Sequence, residues 1–307
     1  MRPTPASRAG APALRLGALR ACGDSERGLR HEHALLVQLR ERAAVATLDL
    51  PGAGEIRMFL NPDDRTITPK ILFDGVWEPK ETHWFTRSVG PGDTVVDVGA
   101  NVGYYTLLAA RLVGDAGRVF AFEPDPVSFG VLERNVRLNG LSNVVLEQKA
   151  VSDAAGSIRL YIAPNNKGDH RIYQPEEAAR REYVDVDAVA LDDYLAGHPG
   201  PVDFVKIDTQ GAEVAILEGM PRTLRENPDL RMVIEFWPSG VAGLGASAER
   251  LLAILDAGGF RLFDLAGRLR APPRETDAAT LLARYDLTNR RSTNLLLMKQ
   301  GGLPAPR

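Results

Sequence analysis

The stretch "TVVDVGANVGYYTLLAARLVG", residues 94 to 114, spaces Asp97, Gly99 and Gly103 as D-x-G-x-x-x-G, and a second carboxylate, Glu123, follows Asp97 by 26 residues. That interval is about one helix and one strand, so it returns Glu123 to the end of the neighbouring strand. A carboxylate there can accept hydrogen bonds from both hydroxyls of a ribose. Gly99 and Gly103 let a ligand approach the backbone, and Asp97 can meet an ammonium directly or through water. These groups describe a site for an adenosine that carries an amino-acid tail. A dinucleotide fingerprint opening at Gly99 would need further glycines where Asn101 and Tyr104 stand, which argues against an NAD-type oxidoreductase.

In a doubly wound sheet the ligand lies beyond the carboxyl ends of the strands, so residues that end strands carry the next candidates. Asp208 ends "VDFVKID" and is placed to contact an acceptor hydroxyl, or else to cap the helix that begins near Gly211. His170 sits in a polar insert, where a histidine, the residue type that most often serves as a general base near neutral pH, is equally a solvated loop residue. Glu213 and Glu235 either pair with Lys206 or Arg231 as structural ions or face a ligand. With Asp208 they would also offer oxygens to Mg2+, a reading not favoured over a metal-free site. Trp77, Trp84 and Trp237 either wall an acceptor pocket or fill the core.

The elements that must position these groups follow from the apolar pattern. Runs at 94–98, 118–122, 144–151, 202–207, 231–237, 260–264 and 293–298 predict seven strands. Helical periods such as Tyr105, Leu108, Ala109 and Leu112 fall between most of them. This alternation predicts an α/β doubly wound, mostly parallel sheet covered on both faces. Asp125 and Pro126 suit the start of the helix after the second strand, and Gly140 its end. Upstream, residues 1–30 read as an arm, 31–46 as a helix presenting Leu35, Leu36 and Leu39, and 55–73 as a hairpin or irregular lid broken at Asn61-Pro62-Asp63. The resulting division is an arm and helix over 1–50, a cap segment over 51–93, and the sheet domain over 94–300 with an insert at 163–182.

Composition bounds the rest. A chain of 307 residues with 44% hydrophobic content can bury a full core. Its net charge of −3 lacks the basic excess that phosphate-backbone binding relies on, so no nucleic-acid partner is expected. One cysteine, Cys22, leaves no internal disulfide and points to a cytoplasmic setting. No run reaches the roughly 18 apolar residues of a membrane span, so no membrane partner is expected either. Composition is silent on oligomeric state.

An adenosine with an amino-acid tail is S-adenosylmethionine, and here the chain resembles a known family. "GVWEPKE", "DVGANVGYYT", "FEPDP", "NGLSNVVLEQKAVSD", "VDFVKIDTQGAEVAILEG" and "VIEFWP" occur in the order and spacing of the FkbM-type S-adenosylmethionine-dependent methyltransferases, over roughly residues 70–299. The resemblance implies a class I methyltransferase (Rossmann-like) fold of seven strands with the last antiparallel. It also implies O-methylation of a small-molecule hydroxyl, on a natural product or sugar. Carried over by motif, Asp97, Gly99, Ala100, Asn101, Gly103, Glu123 and Pro124 line the cofactor site. Many class I enzymes hold an acidic residue after the third strand to bind adenine, where this chain has Ala150; adenine then rests on backbone groups, on Ser152 or on Asp153. A noncatalytic cofactor-binding module is the remaining alternative. A nucleic-acid methyltransferase that flips adenine would carry an Asn-Pro-Pro-aromatic turn in place of "DTQG".

Overall fold

The computed structural model describes residues 14–15, 45–50, 52–61, 64–164, 166, 168–175, 181–198, 200–269, 271–300 and 303. Most of the expected arm and residues 31–44 of the expected helix lie outside them. Leu14–Arg15 (β1) runs parallel to Val45–Leu50 (β2), which pairs antiparallel with Gly54–Phe59 (β3). Thus 55–59 pairs backward rather than forming a hairpin across Asn61. Residues 67–74 are instead a helix, Ile67–Asp74 (α1), which the Asp64 carboxylate opens by accepting the Thr68 N–H at 2.6 Å. Pro79–Ser88 (α2) follows.

Strand and helix then alternate through Thr94–Val98 (β4), Tyr104–Val113 (α3), Arg118–Phe122 (β5), Pro126–Leu138 (α4) and Val144–Glu147 (β6). Next come Ala150–Ser152 (β7), Gly156–Tyr161 (β8), Tyr183–Ala190 (β9), Leu191–Tyr194 (α5) and Phe204–Ile207 (β10). The chain continues with Glu213–Glu218 (α6), Pro221–Glu226 (α7), Arg231–Phe236 (β11), Pro238–Gly243 (α8) and Ala248–Ala257 (α9). It closes with Arg261–Asp264 (β12), Arg274–Thr276 (β13), Ala278–Arg284 (α10) and Thr293–Met298 (β14).

The main sheet has the order β13-β12-β14-β11-β10-β4-β5-β6. Strands β6, β5, β4, β10 and β11 are parallel to one another, and β14 runs antiparallel between β11 and β12. This is the expected doubly wound α/β sheet with an antiparallel last strand. It carries eight strands rather than seven, because the short β13 adds an antiparallel edge to β12. The apolar run at 144–151 also divides: β6 stays in the main sheet, while β7 joins β9 and β8 in a separate three-stranded sheet.

The two faces of the main sheet hold separate cores. Val95, Val119, Phe204, Val233 and Leu296 pack toward α2, α3 and the β2–β3 hairpin, whereas Val96, Val98, Val205, Ile207, Ile234 and Leu297 pack toward α6, α7 and α9. Side chains alternate along a strand, so Asp97, Lys206, Glu235 and Asn294 fall on the first face with Val95, Phe204, Val233 and Leu296. Asp97 and Lys206 are register partners, as are Glu235 and Asn294. The sheet thus carries a polar row at one end of an otherwise apolar face.

One buried side chain ties the N-terminal hairpin to this end of the sheet. Asn135 on α4 accepts the Phe59 N–H at 2.6 Å and donates to Phe59 O at 3.0 Å and Val102 O at 2.8 Å. Asn135→Ala leaves those three groups short of partners beside the turn that follows β4. The expected loss is about 3 kcal/mol of unfolding free energy, read as a lower urea midpoint with an unchanged denaturant slope.

Candidate functional site

β4 is followed by α3 on the way to β5, while β10 lies on its other side, so the crevice beyond the carboxyl ends of β4 and β10 is the switch point of the sheet. The turn over 99–103 makes that crevice. Gly99 has φ 82°, and a Cβ there would lie 2.1 Å from Asp208 O, so only glycine fits between β4 and β10. Gly103 has φ 93°, and a Cβ would meet Leu132 at 2.6 Å, which explains it by packing against α4. Asn101 also takes positive φ, at 51°, and its Oδ1 accepts the Val102 N–H at 2.8 Å.

Glu123 holds this turn from the neighbouring strand. Its Oε2 accepts the Asn101 N–H at 2.7 Å and its Oε1 the Asp125 N–H at 2.8 Å. Each oxygen keeps a second lone pair. Burial pushes the carboxyl up to about 8, against the pull of the two N–H donors.

Two cavities meet over this turn, sharing Gly99, Asn101, Gly168, Asp208 and Gln210. The second cavity extends over β5 and β7, with Glu123, Pro124, Ala150, Val151 and Leu160 in its walls. The first extends the other way to Trp77, Glu78, Tyr105, Lys206, Glu235 and Asn294. Beyond it an outer cavity shares Glu78, Glu235 and Asn294. Of the three tryptophans only Trp77 lines any of these; Trp84 is buried against α2's own neighbours and Trp237 lies 4.6 Å under the Arg171 guanidinium.

Lys206 organises the charge. Its Nζ donates to Asp208 Oδ2 at 3.0 Å and stands 4.4 Å from the Tyr105 ring centroid. Burial works against the ammonium, but Asp208 and Asp97 hold it charged above the usual lysine range. Asp97 is buried behind the cavities; burial raises its carboxyl, opposed by Lys206 and by the Thr106 hydroxyl, which donates to it at 2.6 Å. Gln210, at φ 56°, donates to Glu235 Oε2 at 2.9 Å and reaches Asp208 Oδ1 at 3.4 Å. Burial and then Asp208 push Glu235 well above the ordinary carboxyl range.

The other candidates separate from this cluster. His170 lines the second cavity, where its Nδ1 accepts the Ala163 N–H at 3.0 Å and its Nε2 faces Asp125 at 3.7 Å. Burial favours a protonated Asp125, yet the neighbouring His170 and the Ser128 N–H, which donates to it at 2.9 Å, hold it down at about 2. Ser152 donates to Asp153 at 3.0 Å, and neither lines the cavities described. Glu213 accepts the Gly211 N–H and the Thr209 hydroxyl at the start of α6, and Arg231 pairs with Asp93 at 3.0 Å, so neither makes the ion pair expected with the other. Among the described residues no group of three or more His, Cys, Asp or Glu gathers as a metal site, and Asp208, Glu213 and Glu235 form none. No described helix is long and apolar enough to cross a membrane.

Sequence reasoning missed Glu78, Tyr105 and Gln210. Among the described residues four non-glycine residues have positive φ, and Glu78, Asn101 and Gln210, three of the four, line the first cavity. Backbone held in that region concentrates at functional sites. The signal available beforehand was Glu-Pro at the head of α2.

Comparison with known proteins gives the same picture. The profile of the methyltransferase FkbM domain matches residues 97–262, more than half of the chain. Methyltransferase sdnD of Sordaria araneosa is 34% identical over 179 residues, covering 48% of this chain and 68% of that protein. The 31-O-demethyl-FK506 methyltransferase FkbM of Streptomyces tacrolimicus is 30% identical over 202 residues, covering 55% and 73%. The crystal structure of methyltransferase FkbM from Methylobacillus flagellatus KT is 14% identical and covers 88% of this chain and 59% of that one. Its TM-score of 0.41 adds nothing to what the strand order shows.

Because the folded protein retains the Glu123 proton up to about pH 8 while an unfolded chain releases it near 4.5, the unfolded state binds fewer protons between those values. The contribution of Glu123 to stability therefore falls as pH rises through that window. Glu123→Gln, which cannot ionise, removes this decline. Urea unfolding at pH 5, 7 and 9 should show the variant gaining on the wild type with pH, and a difference constant with pH would refute the raised carboxyl.

Proposed function

The chain belongs to the methyltransferase FkbM family, and from that premise we propose that it moves the methyl group of S-adenosylmethionine to a hydroxyl oxygen of a small molecule, a natural product or sugar. One observation carries the reading: Glu123, the Gly99–Asn101 turn and Asp208 open onto two joined cavities, one walled by Pro124, Ala150 and Leu160, the other polar. The second cavity, with the apolar wall, suits an adenosine, and the first, polar one suits its amino-acid tail and an acceptor.

The residues fit the donor. Glu123 fixes the turn through one lone pair of each oxygen and turns the rest of its carboxyl to the two ribose hydroxyls, accepting from one and, while it holds its proton, donating to the other. Ala150 leaves the adenine wall without an acidic side chain, so backbone groups and the apolar wall receive the base. Asp208 stands where the two cavities join, the position from which a side chain touches the reacting methyl or its acceptor. When bound, the donor supplies a methyl on a positively charged sulfur that needs no further activation. The protein's task is then to align the acceptor behind that methyl, and such positioning supplies most of the rate.

An oxygen acceptor is supported by the name of the Streptomyces tacrolimicus relative, a demethyl-FK506 methyltransferase acting at an oxygen. The first and outer cavities are lined by Glu78, Glu235, Asn294 and Ser292, groups that hydrogen-bond hydroxyls. The single cysteine supports a cytoplasmic setting.

Calorimetry should show S-adenosylmethionine and its demethylated product binding one to one. Glu123→Ala should weaken both by about 10- to 100-fold through the lost ribose contacts. Intact protein that binds neither compound would end the reading. Turnover should also persist in the presence of a chelator.

A further inference from the structure

We propose that Glu78 is the catalytic residue that takes the acceptor's proton, from a position at the neck between the donor cavity and the outer cavity. The inference rests on the methyltransferase reading and assigns a residue that reading leaves unassigned.

Glu78, Glu235 and Asn294 line both the first and the outer cavity, so an acceptor reaching the donor from the outer side passes these three. Glu78 occupies the N-cap position of α2 with φ 43°, yet its side chain makes no capping hydrogen bond. The backbone adopts an unfavourable conformation for a non-glycine residue and the carboxylate is left for another use. The Tyr105 hydroxyl donates to its Oε2 at 3.0 Å and fixes its aim.

The competing groups are engaged elsewhere. Asp208 has Oδ2 on Lys206 and Oδ1 toward Gln210. Glu235 accepts from Gln210, and burial and then Asp208 raise its carboxyl well above the ordinary range. His170 has its Nδ1 lone pair on the Ala163 N–H. Glu78 is faced by Asp208 and Lys206 from β10, Tyr104 and Tyr105 from α3, Glu235 from β11 and Glu81 from its own helix. Burial and then Asp208 raise it to about 7 against the pull of Lys206, the range in which a general base works best near neutral pH. Two neck carboxyls driven to different proton affinities can divide the work: Glu235 donates a hydrogen bond that orients the hydroxyl and Glu78 removes its proton.

In the step itself the acceptor oxygen forms a bond to the methyl carbon as the carbon–sulfur bond breaks. The bonding pair leaves on sulfur, which becomes a neutral thioether. The hydroxyl proton passes to the Glu78 carboxylate and later to water.

The test measures transfer of labelled methyl from S-adenosylmethionine to a panel of methyl glycosides and simple alcohols between pH 5.5 and 9, for wild type, E78Q and E78D. Calorimetry with S-adenosylhomocysteine runs alongside. The wild-type rate should rise with pH through about 7 and then level. E78Q should lose about 100-fold or more in kcat, lose the limb near 7, and keep the product affinity within about threefold; E78D should recover part of the rate together with the limb. A limb unchanged in E78Q overturns the proposal, as does a variant that loses product affinity while keeping kcat, which would make Glu78 a donor ligand. Wild type that binds the donor but methylates no hydroxyl in the panel overturns the hydroxyl-transfer reading, and this proposal falls with it.

Discussion

A buried ammonium in the central sheet constrains this site more than any other group. Lys206 stands in a strand whose other side chains, Phe204, Val205 and Ile207, are wholly apolar and buried. An isolated charge there would be neutralised or expelled. It persists because Asp208 lies two residues on at 3.0 Å, Asp97 is its register partner on β4 and the Tyr105 ring covers it. The dependence runs both ways, since those carboxylates would face one another without a cation between them. Breaking a buried pair leaves an uncompensated charge, which costs far more than the intact pair contributes. The end of β10 can therefore hold one arrangement, and that arrangement fixes where Asp208 meets the cavities.

The turn after β4 is fixed in the same manner, by a group with two tasks. Glu123 spends one lone pair of each oxygen on the backbone of the turn and of α4's cap, and keeps the others toward the cavity. The side chain that would receive a ligand is thus the one that shapes the loop receiving it. A turn already held by its own hydrogen bonds carries less of the ordering cost of a flexible site. Asn135 extends the constraint outward by joining the turn's Val102 carbonyl to β3. The N-terminal hairpin in this way supports the crevice from outside the sheet.

Much of this was legible in the sequence because it is local. Apolar runs and helical spacing gave the alternation of strands and helices along the chain, and Asp97, Gly99 and Glu123 sit at ends that a βαβ unit places together whatever follows. The missing parts depend on which segments meet. Glu78 and Gln210 become site residues only because α2 and the loop after β10 converge on one sheet face, and their positive φ values are a product of that convergence. The eighth strand, β13, is three residues long and carries no apolar run, so periodicity could not reveal it. The run at 144–151 read as one strand, yet Glu147, Gln148 and Lys149 interrupt its apolar residues and its halves pair in different sheets. His170 shows the converse: its residue type suggested chemistry, yet its Nδ1 is taken by the Ala163 N–H and its Nε2 faces Asp125 at 3.7 Å rather than the first cavity.

Methyl transfer from a sulfonium places an unusual demand on a site so rich in carboxyl groups. Positive charge on sulfur falls as the carbon–sulfur bond lengthens, so an uncompensated anion aimed at it would stabilise the ground state more than the transition state. A site built of Glu78, Glu123, Asp208 and Glu235 would slow the reaction if all four were bare anions. The structure limits that effect by two means. Lys206 sits on Asp208 and offsets its charge at the junction of the cavities. Burial keeps Glu123 and Glu235 inclined to hold their protons, so they contribute hydrogen bonds more than charge. Glu78, at the neck shared by the first and outer cavities and away from the cavity that Glu123 lines, is where a negative charge would oppose the discharge of sulfur least. The carboxyl groups of this crevice are thus separated by the charge each carries: Glu123 and Glu235 incline to their neutral forms, Lys206 offsets Asp208, and Glu78 stands apart at the neck.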